Sequence, residues 1–146
     1  MKKGSNKKRS IVLVGGCFDV LHMGHLAFLE KAKKEGEKLV VMLESDEKIR
    51  KIKGKGRPIN NQENRAKMLN SLKMVDRVIK LPKMKDGDYV NLVKKIKPAV
   101  IAVTKGDKKT EIKRQMAKLV GARLVEVIKE IPFCSSSRII EIMNEI

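Results

Sequence analysis

Short apolar runs alternate along the chain with longer stretches whose apolar residues recur at helical spacing. The apolar runs are rich in Val, Ile and Leu, which is typical of strands buried on both faces of a parallel sheet. We predict strands at residues 11–14, 38–43, 77–81, 99–103 and 124–128. The stretches with helical spacing predict helices at residues 25–34, 62–72, 89–97, 111–119 and 136–144.

This alternation predicts the arrangement of the whole chain. Parallel strands joined by right-handed helical crossovers form an α/β sheet with helices on both faces. A length of 146 residues fits one domain with its own core. We therefore predict a single doubly wound, Rossmann-like domain over residues 10–146, with a five-stranded parallel sheet. The basic segment 1–9 is predicted to be a disordered tail.

Composition narrows the classes of protein that the chain can represent. No apolar run approaches the roughly 20 residues of a membrane span, and no hydrophobic stretch of signal-peptide character follows the basic N-terminus. We therefore predict a cytoplasmic protein. Cys17 and Cys134 are too few for a disulfide framework, and we expect each to be a small packed residue.

The formal net charge of +17 indicates an anionic partner without identifying it. Nucleic acid, an anionic membrane and phosphorylated metabolites all fit this charge. Aromatic residues make up only 3% of the chain, so platforms on which single-stranded bases stack are scarce. A lysine-rich surface that is only solvated and binds no partner is the alternative explanation of this charge.

Both histidines of the chain, His22 and His25, lie in the run Gly-Cys-Phe-Asp-Val-Leu-His-Met-Gly-His at residues 16–25. This run joins the first predicted strand to the first predicted helix, where free backbone N–H groups and the positive helix end favour phosphate. Residues three apart on a helix face the same way. We interpret the pair as a phosphate clamp for phosphoryl or nucleotidyl transfer. Structural packing and a metal site are the alternatives, and a metal site needs a third ligand.

Three further segments are predicted to border the same crevice. Ligands of open α/β sheets bind beyond the carboxyl ends of the strands, where the strand order reverses. The segment 103–107 follows the fourth strand, although its Lys-Gly-Asp part, residues 105–107, also fits a simple turn. The Ser-Ser-Ser segment 135–137 opens the last helix, where it also fits a helix cap. The glycine-broken basic stretch 51–58 is predicted to be a mobile loop that closes over a ligand.

The pattern Gly-x-Phe-Asp-x-x-His-x-Gly-His resembles the signature of the HIGH-motif nucleotidyltransferases, also called cytidylyltransferase-like proteins. Within that superfamily the chain is most similar to the adenylyltransferase domain of ADP-heptose synthases. The matching stretches are residues 16–19, 53–60, 63–65, 75–76, 105–107 and 134–137.

The resemblance implies roles for individual residues of this chain. The implied catalytic residues are His22, His25 and Lys53. The residues implied to bind the nucleotide and its phosphates are Gly16, Cys17, Phe18, Gly24, Arg65, Lys105, Gly106, Asp107, Ser135, Ser136 and Ser137. Asp19 is expected to bind the acceptor and is a weaker candidate for a role near Mg²⁺. The Mg²⁺ ion is expected to accompany the nucleoside triphosphate, without direct protein ligands.

The implied reaction needs no general base. A phosphate oxygen of the acceptor is already ionised and can attack the α-phosphate, so the protein must align two phosphates and neutralise charge as pyrophosphate leaves. We expect transfer of AMP from ATP to a phosphorylated small molecule, such as heptose 1-phosphate. The resemblance also implies a homodimer, and neither nucleic acid nor a membrane is expected as a partner.

Departures from the family pattern leave the acceptor open. The Gly-Gly-Asp-Tyr of relatives is reduced to Gly-Asp-Lys at residues 106–108, and Cys17 stands where Thr or Ser is common. Glu130 stands where glycerol-3-phosphate cytidylyltransferases, which use CTP, carry an arginine. Residues 132–136 are similar to archaeal FAD synthases, which would make FMN the acceptor. A non-catalytic basic module that binds nucleic acid is the alternative of another class, and it predicts affinity that falls with salt and survives loss of both histidines.

Overall fold

The computed structural model of the protein describes residues 10–130 and 135–145. Five parallel strands within these residues form one sheet in the order β3-β2-β1-β4-β5. The elements in chain order are β1 (Ile11–Gly16), α1 (Met23–Lys33), β2 (Lys38–Leu43), α2 (Asp46–Lys53), α3 (Gln62–Asn70), β3 (Arg77–Lys80), α4 (Asp86–Ile96), β4 (Val100–Lys105), α5 (Thr110–Val120), β5 (Arg123–Lys129) and α6 (Ser136–Glu145). The predicted doubly wound α/β fold is confirmed. The predicted tail at residues 1–9 and Cys134 lie outside the described residues.

The sheet is covered on both faces because its strands present apolar side chains alternately to each side. Val12 and Val14 of β1 pack in a core with Leu29 of α1 and Leu69 of α3. Leu13, between them, belongs to the opposite core, which includes residues of α4 and α5. This two-sided burial explains the continuous apolar runs from which the strands were predicted.

The two central strands separate at their carboxyl ends. β1 pairs with β4 only through Val12↔Val100 and Leu13↔Ile101, whereas β1 pairs with β2 over six residues up to Gly16↔Leu43. The register of β4 against β5 also shifts between Val103 and Thr104, and such bulges are common beside functional sites. The crevice predicted at the reversal of strand order therefore opens between β1 and β4.

The helices differ from the predicted set in one place. Residues 51–53, predicted as the start of a loop, are the last turn of α2, an unpredicted helix of 8 residues. Ser45 caps this helix by accepting the Lys48 N–H at 3.1 Å, and acidic residues occupy its first turn, where the helix dipole favours them. Ile49 and Ile52 are the only apolar residues of this short, highly charged segment, so its sequence resembles that of a basic loop.

The start of α3 lies where it was predicted, at residue 62. Asn61 caps the helix by accepting the Asn64 N–H at 2.9 Å, and Glu63 in the first turn pairs with Lys80. The helices of the described residues run from 8 to 11 residues, and none of them is long and apolar enough to cross a bilayer.

Candidate active site

A cavity of about 480 Å³ lies where the ends of β1 and β4 diverge. Its volume is in the range of small-molecule sites, which agrees with the predicted place of ligand binding. Segments far apart in sequence form its wall. The predicted site residues that line it are Gly16, Cys17, Phe18, Asp19, His22, Gly24, His25, Lys53, Lys105, Gly106, Asp107, Ser135, Ser136 and Ser137.

The turn after β1 is built around one aromatic ring. Phe18 is buried and has a φ of 48°, which an L residue rarely adopts and which costs roughly 1–2 kcal/mol. A Cβ atom at Gly16 would lie 2.9 Å from the Phe18 ring, so the glycine makes room for it. The ring centroid lies 5.0 Å from that of His25. This packing directs the chain from β1 into α1 and supports the second histidine of the motif.

The two histidine rings form a stacked pair on the cavity wall. Their centroids are 3.8 Å apart and their planes are inclined by 23°. His22 is the N-cap of α1, and its Nδ1 accepts the Gly24 N–H at 3.0 Å. The proton of a neutral His22 ring therefore lies on Nε2, which is left as a donor. Nδ1 of His25 is buried and has no hydrogen-bond partner in the described part of the chain.

Both rings are neutral in the free protein near pH 7. Burial, with the nearby His22 and Lys53 acting in the same direction, lowers the pKa of His25 to about 4. Burial also lowers the pKa of His22. An imidazolium is thus absent before a ligand binds, and the rings offer neutral N–H donors. An anionic ligand beside them would favour the protonated form.

We expect the free protein to lose stability as the pH falls from about 6.5 toward 4, because unfolded His25 binds a proton that the folded ring resists. A pKa displaced from 6.5 to about 4 sets an upper bound of about 3 kcal/mol on this effect. Urea unfolding of the wild type and His25→Asn at about pH 7.5 and about pH 4.5 measures it. An equal difference between the two proteins at both pH values would contradict this assignment. Asp19 has a lowered pKa and titrates below this window, so it does not obscure the result.

The carboxylate of Asp19 holds the loop that follows α2. Asp19 is 1% exposed and accepts hydrogen bonds from the backbone N–H groups of Ile59 and Asn60, each at 2.9 Å, and from Arg57 Nε at 3.0 Å. Burial alone would raise its pKa, but these donors outweigh burial and hold the pKa below its usual range. Asp19 therefore lies beside the cavity with both oxygens engaged by the loop. Its predicted contact with the acceptor stays a prediction.

The serines at the start of α6 have three different contacts. Ser135 Oγ accepts the Arg138 N–H at 3.0 Å and caps the helix, as the alternative interpretation allowed. Ser136 Oγ accepts the Val20 N–H at 3.1 Å and donates to the Val20 carbonyl at 2.7 Å. Ser137 Oγ accepts from Arg57 Nη1 at 3.3 Å. These contacts fasten the start of α6 to the β1–α1 turn, and the three serines line the same cavity as the two histidines.

The Lys-Gly-Asp segment begins with the last residue of β4, leads into a turn and also lines the cavity. Asp107 accepts the Lys109 N–H at 2.9 Å and pairs with Lys113 Nζ at 2.9 Å. Burial alone would raise the pKa of Asp107, but these two donors hold it below the usual range. The segment therefore forms the turn that was the alternative to a ligand-binding role, and it also lies on the cavity wall. Lys105 and Lys113 both line that wall.

Residues 13–142 match the family described as cytidylyltransferase-like. The chain belongs to this family. The predicted membership in the HIGH-motif nucleotidyltransferases is thereby confirmed, and with it the prediction that the chain is an enzyme of the nucleotidyltransferase class.

Curated relatives of this cytidylyltransferase-like chain include proteins named bifunctional protein HldE. The protein from Campylobacter fetus is 39% identical over 139 residues, which are 94% of this chain and 28% of that protein. The protein from Wolinella succinogenes is 40% identical over 132 residues, which are 90% of this chain and 26% of that protein. The chain thus spans about a quarter of the length of these relatives.

Solved structures agree with the family assignment. The lipopolysaccharide core biosynthesis protein from Thermoplasma volcanium superposes with a TM-score of 0.70 at 30% identity, covering 85% of this chain and all of that one. The pantoate-beta-alanine ligase from Francisella tularensis has a TM-score of 0.58 at 16% identity, covering 95% of this chain and 70% of that one. The second likeness shows the fold alone.

One member of the predicted cytidylyltransferase-like site does not line the cavity. Arg65 is fully buried, and its guanidinium donates to the carbonyls of Cys17, Glu44 and Asn60 at 2.8–3.0 Å. Its Nη2 also pairs with Asp46 at 2.6 Å. The prediction that Arg65 binds a phosphate is therefore corrected, because its donors are engaged by protein oxygens. Arg65 instead ties the β1–α1 turn to the start of α2.

Cys17 is half-buried on the cavity wall, so it is less enclosed than the packed residue we expected. Burial raises the pKa of its thiol, and the positive charge of Lys53 opposes that rise only in part. The thiol is thus protonated near pH 7, which does not suit a nucleophile.

The structure adds residues that sequence reasoning did not assign to the site. Arg57 lines the cavity and lies in the matched Lys-Gly-Lys-Gly-Arg-Pro stretch, so its position in the motif was a usable signal. Lys113 and Lys129 also line the wall. No local motif marks these two residues, because only the folded sheet brings α5 and β5 to the cavity.

Proposed function

We propose that the chain transfers AMP from ATP to a sugar phosphate such as heptose 1-phosphate and releases pyrophosphate. The observation that carries this proposal is the stacked pair of neutral histidines, with Nε2 of His22 left as a donor on the wall of a basic cavity. The sugar phosphate is proposed from the similarity to proteins named HldE and to a lipopolysaccharide core biosynthesis protein.

In the proposed reaction an oxygen of the acceptor phosphate forms a bond to the α-phosphorus of ATP. The bond from that phosphorus to the bridging oxygen breaks, and its electron pair leaves with pyrophosphate, so no proton needs to be moved. His22 and His25 donate hydrogen bonds to phosphate oxygens, and Lys53 adds a positive charge at the same wall. The first turn of α6 supplies backbone N–H groups for the distal phosphates.

We propose that Mg²⁺ accompanies the triphosphate and neutralises part of its charge. Asp19 is engaged by residues 57–60, and Asp107 is paired with Lys113. Across residues 10–130 and 135–145, no three His, Cys, Asp or Glu side chains are grouped so that they could hold a metal ion. The donor set therefore fits an ion held mainly by phosphate oxygens and water, as Mg²⁺ commonly is.

One wall residue argues against CTP and glycerol 3-phosphate as the substrates. Glu130 lines the cavity at the position where glycerol-3-phosphate cytidylyltransferases carry an arginine. A carboxylate there repels an anionic group that an arginine would bind. A cytoplasmic location, where ATP is supplied, and the homodimer implied by the family resemblance remain part of this proposal.

A pyrophosphate-release assay tests the proposed function. The expected result is release with ATP, Mg²⁺ and heptose 1-phosphate, and little release with CTP and glycerol 3-phosphate or with ATP and FMN. A reaction without acceptor controls for simple hydrolysis, and mass spectrometry of the product identifies the transferred nucleotide. Preferred use of FMN or of glycerol 3-phosphate would overturn the sugar-phosphate assignment. Release with none of the three acceptors would overturn the proposed activity.

A further inference from the structure

We propose that Arg57 binds the pyrophosphate portion of the nucleotide and that Asp19 is the positioning residue that orients it. This inference deepens the proposed function and rests on it. Sequence matching assigned the phosphate-binding arginine to Arg65, which is buried away from the cavity. Arg57, eight positions earlier, lines the cavity beside His22 and Lys53.

The guanidinium of Arg57 is held from two sides, and one of its three nitrogens is left without a partner among the described residues. Nε donates to Asp19 at 3.0 Å, and Nη1 donates to Ser137 Oγ at 3.3 Å. Nη2 is buried and has no hydrogen-bond partner among the described residues. The side chain is 13% exposed, so water reaches little of it. A buried charged donor without a partner is costly, and an anionic oxygen in the cavity would relieve that cost.

Asp19 fixes Arg57 before a ligand arrives. Its carboxylate is itself held by the backbone N–H groups of Ile59 and Asn60, so the orientation of the guanidinium follows from the backbone of the loop. The Asn60 side chain also donates to the Asp19 carbonyl at 2.7 Å. A side chain that is already oriented loses less entropy when it binds, which strengthens its contact with phosphate.

The contact with Ser137 indicates which phosphates Arg57 meets. Ser137 lies in the first turn of α6, whose N–H groups and positive end favour anions. Arg57 and this helix end therefore act on one region of the cavity, on the side where the leaving pyrophosphate is expected. As the bridging oxygen takes the electron pair, a guanidinium there stabilises the growing negative charge.

Binding of inorganic pyrophosphate tests this proposal without any turnover. Titration calorimetry compares the wild type with Arg57→Ala, Arg57→Lys and the control Arg50→Ala, which removes one exposed positive charge from α2. We expect Arg57→Ala to raise the Kd for pyrophosphate about tenfold to a hundredfold, Arg57→Lys to raise it less, and Arg50→Ala to change it less than about twofold. An unchanged Kd in Arg57→Ala, an equal loss in Arg50→Ala, or no pyrophosphate binding by the wild type would overturn the proposal.

The positioning role of Asp19 is tested by a double-mutant cycle. We expect Asp19→Asn to weaken pyrophosphate binding in the wild type and to add little further loss in the Arg57→Ala background. Additive losses would overturn this role for Asp19.

Chemical rescue tests direct contact between Arg57 and pyrophosphate. Millimolar guanidinium ion is expected to restore part of the affinity for pyrophosphate that Arg57→Ala loses, whereas urea at the same concentration is not. Equal effects of guanidinium ion and urea would contradict direct contact. If pyrophosphate binding follows these expectations while no acceptor supports transfer, the proposed function fails and the assignment of Arg57 stands.

Discussion

Turnover of nucleotidyl transfer is expected to fall by about two decades or more when His25 or His22 is replaced by alanine. The physical reason is the loss of an N–H donor from a wall where the charge of the leaving pyrophosphate develops. The measurement is kcat for pyrophosphate release at saturating ATP and acceptor. Met23→Ala is the matched control, because Met23 lies between the two histidines and is 65% exposed. Wild-type turnover in either histidine variant would contradict its assigned role.

His22 requires a second variant because it also caps α1. Alanine removes the cap hydrogen bond from Gly24 together with the phosphate donor, and loss of a cap costs about 1 kcal/mol. Asparagine can accept the Gly24 N–H but lacks the Nε2 donor. We therefore expect His22→Asn to unfold at nearly the wild-type urea concentration while losing as much turnover as His22→Ala. Recovery of turnover in His22→Asn would mean that capping alone explains the effect.

The positions of the strands along the chain and the histidine motif follow from short-range features of the sequence. Apolar runs such as Lys38–Leu43 are buried on both faces, so their pattern defines the strand that forms. Gly16 and Gly24 belong to the same run as His22 and His25, residues 16–25, so their proximity to the histidines needed no knowledge of the fold. Local sequence was therefore sufficient to predict those parts of the structure in which the contacting residues are close in the chain.

Contacts between distant segments could not be predicted in the same way. Arg57 and Arg65 both lie in matched stretches, and spacing alone does not say which side chain enters the cavity. The capture of Asp19 by the loop backbone at Ile59 and Asn60 joins residues about 40 positions apart. These contacts depend on backbone directions that the full set of packed elements determines.

Replacement of Arg65 by alanine is expected to lower the free energy of unfolding by about 3–5 kcal/mol. The side chain is fully buried and satisfies three backbone carbonyls together with Asp46, so its removal leaves buried acceptors without donors. Urea unfolding measures the loss. Arg123→Ala is the matched control, because that side chain is 67% exposed and its removal is expected to change stability by less than about 0.5 kcal/mol.

Arg65→Lys separates a structural role from phosphate binding if the alanine variant does not fold. One ammonium group cannot reach all the oxygens that the planar guanidinium contacts, so we expect lysine to destabilise the protein as well. The folded fraction should nevertheless bind pyrophosphate with the wild-type Kd, since Arg65 lies outside the cavity wall. Normal stability combined with weakened pyrophosphate binding would instead show that Arg65 reaches the ligand. That outcome would require α3 to turn toward the cavity when the nucleotide binds.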